Sequence, residues 1–182
     1  MRRASFLAGA FAFGIASIGF SVGLPPSANA QSGVGTGRSS GSVAFVREAG
    51  HAGHFEVQSG RLALERSQHV GIRGYATQTV KDATEMLKRV DFINNANVAA
   101  SMPSGVNDNQ QAQLNRLSGL SGTEFDREYI RQQIEISQFL AGIFRGYGAN
   151  GESPTLRVYA AKSATDYDAQ LEKARTISGS LQ

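Results

Sequence analysis

Residues 123–147 form the longest unbroken helical pattern in this chain, and a stripe of that length dictates what must surround it. Phe125, Tyr129, Gln133, Ile136 with Ser137, Leu140, Phe144 and Tyr147 recur at three- and four-residue steps, which puts them on one helix face. Thr123 suits an N-cap, with Glu124 and Asp126 beside the positive helix N-terminus, and Gly146, Gly148 and Gly151 close the run. Such a helix draws most of its stability from packing an apolar face, so other helices must cover it.

Three further stretches can do so. In the first, about residues 42–68, Val43, Val46, Ala49, Ala52, Phe55, Leu62 and Ala63 roughly keep helical spacing. Gly50, Gly53 and Gly60 weaken it, each costing ~1 kcal/mol in a helix interior relative to alanine. They point either to close helix approach or to a late, frayed start. In the second, about residues 69–95, Ile72, Ala76, Thr79, Ala83, Met86, Val90 and Ile93 make a clean stripe that Asn94, Asn95 and Asn97 end. The last opens on Ser153–Pro154, a cap followed by proline at the first helical position, and buries Leu156, Tyr159, Ala160, Ser163, Tyr167, Gln170, Leu171 and Ala174. Residues 96–122 are a long connection with turn residues Pro103 and Gly105. Asn107 or Asp108 would cap a short helix there, through Leu114 and Leu117, which Gly119 and Gly122 stop. No strand alternation of useful length occurs. The expected architecture is all-α, a four-helix bundle with a long link between its second and third long helices.

The N-terminal thirty residues read as a signal peptide. Arg2 and Arg3 precede an apolar stretch over residues 6–23, Pro25 and Pro26 break it, and Ala28-Asn29-Ala30 has the small-x-small form of a cleavage site. Residues 31–42 are a Gly/Ser-rich tether, residues 43–177 the helical domain and residues 178–182 a frayed tail. Export to the periplasm is expected, with outer-membrane association or release from the cell as further destinations. The arginine pair hints at twin-arginine export, although Ala4-Ser5-Phe6-Leu7 is out of register with that motif. With no cysteine, the chain has no disulfide, thiol redox chemistry, thiolate metal site or lipoprotein anchor. Arg2 and Arg3 leave with the signal peptide, so the excess of 18 basic over 15 acidic residues nearly vanishes. No basic stripe with interleaved aromatics remains, which argues against nucleic acid. No transmembrane segment is expected after cleavage, and peripheral membrane contact is a weaker option because no strongly basic amphipathic helix is present.

Glu56 ahead of Gly60-Arg61-Leu62-Ala63, Tyr75-Ala76 leading to Val80-Lys81-Asp82, and Leu117 and Gly122 ahead of Phe125-Asp126 follow one another in a recognisable order. Tyr129-Ile130 with Gln133-Ile134, Leu156 through Tyr159-Ala160, and Leu171 through Ala174 complete it. This series resembles a bacterial secreted family of unknown function with a ferritin-like bundle, whose members are often labelled outer-membrane proteins. The resemblance spans roughly residues 45–177 and implies a ferritin-like four-helix bundle. Family members usually carry histidine where this chain has Ala83, Ser137 and Gln170, and proline where it has Thr165. Any metal or acid–base role of those histidines therefore does not transfer.

A di-iron carboxylate bundle needs a Glu from two helices and Glu-x-x-His from the other two. Here Glu48-x-x-His51 occurs once, and the only histidines are His51, His54 and His69. Glu48, His51 and His54 are weak metal candidates, more simply a solvated helix face, and Glu65 with His69 reads as an i,i+4 pair. Glu56 is the one acid expected inside, where a carboxylate is costly unless hydrogen-bonded or neutralised. Tyr75, Thr79, Gln133, Ser137, Tyr159 and Gln170 are its available partners. Glu56, Gln133, Ser137 and Gln170 are thus polar-core candidates, and Glu56 also a metal candidate. Arg127, Arg131 and Arg145 are expected in solvent, with Arg131 near Glu128 and Glu135. The expected function is that of an exported cell-envelope module, structural or partner-binding and non-enzymatic, without a cofactor, for an envelope protein or ligand as partner. The alternative is a metal-binding or oxidoreductase ferritin-like protein with an atypical site around Glu56.

Overall fold

Local sequence signals set most helix ends in the computed structural model, which describes residues 40–181. The expected signal peptide and most of the tether lie outside those residues. The described residues form five helices and no strand: α1 Ser40–Arg66, α2 Val70–Asn97, α3 Asp108–Ser118, α4 Gly122–Asn150 and α5 Pro154–Ser180. None of these helices is long and apolar enough to cross a membrane.

Asn107 caps α3 through a reciprocal capping box with Gln110, as its spacing suggests. Ser153 and Pro154 open α5, but the serine hydroxyl makes no cap bond. Its carbonyl accepts from Arg157 N instead, at 2.8 Å. Thr123 is not the cap of α4. The chain turns at Gly122, whose φ of +55° favours glycine, and Ser121 O accepts from Phe125 N to close the first turn. Glu65 and His69 are not an intrahelical pair either, because α1 ends at Arg66. His69 is the N-cap of α2, with Nδ1 accepting from Ile72 N at 3.3 Å. The last turn of α5 extends into the expected tail, where Arg127 Nε donates to Leu181 O at 3.0 Å.

Short links make α1–α2 and α4–α5 hairpins. Phe45, early in α1, stacks on Tyr147, late in α4, with ring centroids 4.4 Å apart, while Ala63 and Tyr129 share the opposite apolar cluster. These two helices are therefore antiparallel. Ile72 and Ala174 share that same cluster, which sets the start of α2 beside the end of α5. The four long helices close a ring in the order α1, α2, α5, α4, and α2 and α5 touch least. Residues 98–121 must consequently carry the chain from one end of the ring to the other. They do so along α1 and α4. His54 donates to Pro103 O at 3.0 Å and His51 to Gly105 O at 2.8 Å. Arg66 donates to Ser118 O at 2.6 Å, and Arg116 pairs with Glu128 at 3.1 Å. Glu128 also pairs with Arg131, which holds its carboxyl below the ordinary value. Of the arginines expected in solvent, Arg131 thus joins Glu128 and Glu135, and Arg145 reaches Asp168 across α4 and α5 at 2.6 Å.

The glycines of α1 mark close approach, and the helix runs unbroken through them. A Cβ on Gly53 would lie 2.6 Å from Met86 Cε, and one on Gly60 would lie 2.6 Å from Val80 Cγ2. Helix propensity alone makes Gly60→Ala stabilising by ~1 kcal/mol. The branched Val80 side chain has little freedom to move aside, so overpacking of ~1–3 kcal/mol outweighs that gain. A lower midpoint of chemical denaturation is expected for Gly60→Ala; a higher one would show that α1 and α2 are not in this contact.

Two apolar clusters fill the interior. One holds Phe45, Phe55, Val90, Leu140, Phe144 and Leu156, and the other Ile72, Leu117, Phe125 and Ile130. Between them every long helix contributes a polar residue: Glu56 and Ser59 from α1, Thr79 from α2, Gln133 from α4 and Gln170 from α5.

Candidate functional site

That polar belt is built on Glu56, which is 1 % exposed. Its place follows from helical phase: Ala52, Phe55, Ser59 and Ala63 are on the same buried side of α1. Burial pushes its carboxyl up to about 8 from the ordinary 4.5. The hydrogen bond from Gln170 opposes that rise, and the charge of Asp82 adds to it. At neutral pH Glu56 is therefore mainly a neutral acid, the form that costs least in a dry interior. Gln170 Nε2 donates to Glu56 Oε1 at 2.5 Å, joining α5 to α1. Tyr75 Oη and Ser137 Oγ lie 3.4 Å apart and join α2 to α4. Burial pushes Tyr75 up to about 12, with the Ser137 contact opposing it. Gln133 Nε2 donates to Ser59 Oγ at 3.0 Å, and Ser59 in turn donates to Glu56 O at 3.4 Å.

The four polar-core candidates Glu56, Gln133, Ser137 and Gln170 all lie in this belt. Ser137 and Gln170 occupy two of the positions at which the resembling family usually has histidine, and both are engaged in hydrogen bonds across helices. Tyr159 is not a partner of Glu56. It packs edge-on to Phe144, with centroids 6.1 Å apart, and lies towards the surface. Two belt residues escape sequence reasoning. Ser59 carried only its three-residue spacing from Glu56. Tyr129 was on the stripe, but nothing marked its hydroxyl, which is buried without a partner, as is Gln133 Oε1. Each such atom costs ~1–3 kcal/mol.

Glu48, His51 and His54 do not converge with Glu56. Glu48 pairs with Arg47 at 3.0 Å, and the two histidines donate to backbone carbonyls of the crossover. Among the described residues no three His, Asp or Glu side chains are grouped to hold a metal ion. The belt offers one carboxylic acid with amides and hydroxyls, a donor set that does not fit a di-iron carboxylate centre.

The belt opens where α2 and α5 part. A cleft of about 890 Å³ lies there, with Tyr75, Thr79, Tyr167 and Gln170 among its lining residues. That volume is in the range of small-molecule sites. Gln170 thus lines the cleft and holds Glu56 behind it. Charged side chains of both signs, including Asp82, Arg89, Lys162 and Asp166, line the same cleft.

A family model described as a domain of unknown function (DUF4142) matches residues 26–177. No curated protein and no solved structure matches the chain.

Proposed function

The chain belongs to the DUF4142 family, and we propose that it is an exported, ferritin-like four-helix bundle of bacterial origin that serves as a non-enzymatic binding module of the cell envelope. The observation that carries this reading is the cleft between α2 and α5, set against a belt in which Glu56 is bonded to Gln170, Tyr75 to Ser137 and Gln133 to Ser59. Chemistry at mid-bundle needs groups free to meet a substrate or a metal. Here Glu56 is held by Gln170, and Tyr75 by Ser137, whereas the cleft presents a roomy mixed surface. The antiparallel order of the long helices, with a crossover from the second to the third, supports the ferritin-like description. The leader pattern of Arg2, Arg3, the apolar stretch and Ala28-Asn29-Ala30 supports export. The periplasm is the proposed destination.

Two measurements test this reading on protein produced from the full chain in a bacterium. Intact mass and fractionation are expected to show cleavage after Ala30 and a product outside the cytoplasm. Elemental analysis of protein purified without added metal is expected to show no stoichiometric iron, manganese or zinc. A stoichiometric metal lost in Glu56→Ala would replace this reading with a metal-binding bundle, and an uncleaved cytoplasmic product would remove the envelope role.

A further inference from the structure

The charges of the α2–α5 cleft are ordered along its length, and one tyrosine hydroxyl that lines it takes no hydrogen bond from the described residues. Tyr167 is 6 % exposed and lines the cleft, yet its hydroxyl has no hydrogen-bond partner among the described residues. Asp82 on α2 and Asp166 on α5 flank it from the two walls, and both act on it electrostatically. Burial first, then Glu56, Tyr159 and these two acids, keep that hydroxyl protonated far above its ordinary range. Further along, Arg89 acts on Tyr159, with Lys162 on the facing wall. Lys173 stands alone towards the other end. Asp166, Arg89 and Lys162 enter none of the ion pairs among the described residues.

This pattern selects against simple ions. A lone cation would answer only the acids Asp82 and Asp166, and a lone anion only the bases Arg89 and Lys162. A ligand carrying both charges satisfies both groups. Lys162 and Asp166 are one turn apart, a rise of ~6 Å, and Asp82 and Arg89 are two turns apart, ~10 Å. An amino acid separates its charges by no more than one residue, ~3.3 Å, whereas an extended tripeptide spans ~10 Å.

We propose that the α2–α5 cleft binds a short zwitterionic peptide, its ammonium terminus held by Asp82, Asp166 and the Tyr167 hydroxyl, and its carboxylate by Arg89 and Lys162. The proposal rests on the reading of the protein as a binding module and names the ligand of that cleft. The Tyr167 oxygen accepts one ammonium hydrogen, and Tyr159 and Met86 give apolar surface for small side chains.

The test titrates the full protein with trialanine, N-acetyl-trialanine, trialanine amide, alanine and putrescine, by calorimetry and by amide chemical shifts. Trialanine is expected to bind with shifts confined to α2 and α5, and each capped peptide to bind about tenfold more weakly. Asp166→Asn should reduce the preference over the acetylated peptide, and Arg89→Gln the preference over the amide, each without changing the other preference. These exposed positions leave folding intact, and Tyr167→Phe supplies a third variant that keeps the ring. Equal binding of capped and free peptides, stronger binding of alanine or putrescine, or no response at millimolar trialanine would each overturn the proposal. If trialanine is silent and the protein is exported without metal, only the ligand assignment falls; a stoichiometric metal or a cytoplasmic product removes the module reading itself.

Discussion

Raising the pH from 4.5 to 8 is expected to destabilise this protein, and Glu56→Gln is expected to abolish the part of that loss that Glu56 causes. Burial raises the folded carboxyl to about 8, while in the unfolded chain it titrates near 4.5. Between those values the folded state binds one proton more than the unfolded state, so stability must fall as pH rises. The contribution is complete below 4.5, declines by at most about 1.4 kcal/mol per pH unit, and is gone above 8. Glutamine mimics the neutral acid in shape and still offers Gln170 an acceptor. The two proteins should therefore be similar in stability near pH 4.5, and the variant should become more stable by several kcal/mol at pH 8. Both proteins contain the same three histidines, so the difference between their stability curves isolates Glu56. Glu128 acts in the other direction and in another window. Its carboxyl is held below the ordinary value, chiefly by Arg131, so its contribution is lost only as pH falls through the acid range. Urea denaturation of both proteins from pH 4.5 to 8 measures the effect. Parallel curves would mean that Glu56 reaches water in the folded state.

The same residue shows how much of the site is legible in the sequence. Helical phase alone put Glu56, Gln133, Ser137 and Gln170 on inward faces, because a period of 3.6 residues fixes the angle of each side chain about its helix. Phase does not fix the axial register between helices, and register decides who meets whom. Gln170 reached Glu56, and Tyr75 reached Ser137, while Tyr159, equally inward by phase, lay nearer the surface beside Phe144. The same limit hid the cleft. A stripe says that a face is covered but not how far apart two covered helices stand, and α2 and α5 part enough to leave Thr79 and Gln170 lining an open space. The all-helical fold was legible because each stripe is long, and the cap at Asn107 because its partner Gln110 is local. Thr123 misled because a favourable cap residue competes with a turn that only its neighbour, Gly122, can make at positive φ. His51 and His54 misled for a tertiary reason: their spacing is poor for a metal but suits two carbonyls of a chain that passes across the helix.

The crossover is where tertiary structure contributes most that the sequence does not display, and Asn94 is its controlling residue. In the sequence, Asn94 with Asn95 and Asn97 only marks the end of a helix. In the fold it is fully buried, and its amide reads the backbone of a residue six positions on. Ala100 N donates to Asn94 Oδ1 at 3.0 Å, and Asn94 Nδ2 donates to Ala100 O at 2.9 Å. The Asn94 carbonyl also accepts from Val98 N and Ala99 N, at 2.8 and 2.7 Å. This clamp holds Ala99 at a φ of 53° and seats Val98 and Ala100 in the apolar cluster. Asn94→Ala would leave a buried N–H and a buried C=O without partners, at ~1–3 kcal/mol each. The expected loss of about 2–5 kcal/mol exceeds the worth of an ordinary hydrogen bond, because the stranded groups belong to the backbone and cannot turn to water without unseating Val98 and Ala100. Hydrogen exchange locates the effect: the Ala100 amide should lose protection in Asn94→Ala before amides in the middle of α2 do. Asn94→Asp separates clamp from cavity, since its carboxyl keeps the acceptor for Ala100 N and, protonated at this buried site, offers a donor to Ala100 O. Retained protection at Ala100 in the aspartate variant, with loss in the alanine variant, is the expected pair of results. Unchanged protection in both would mean that packing, rather than this clamp, sets the path of residues 98–121.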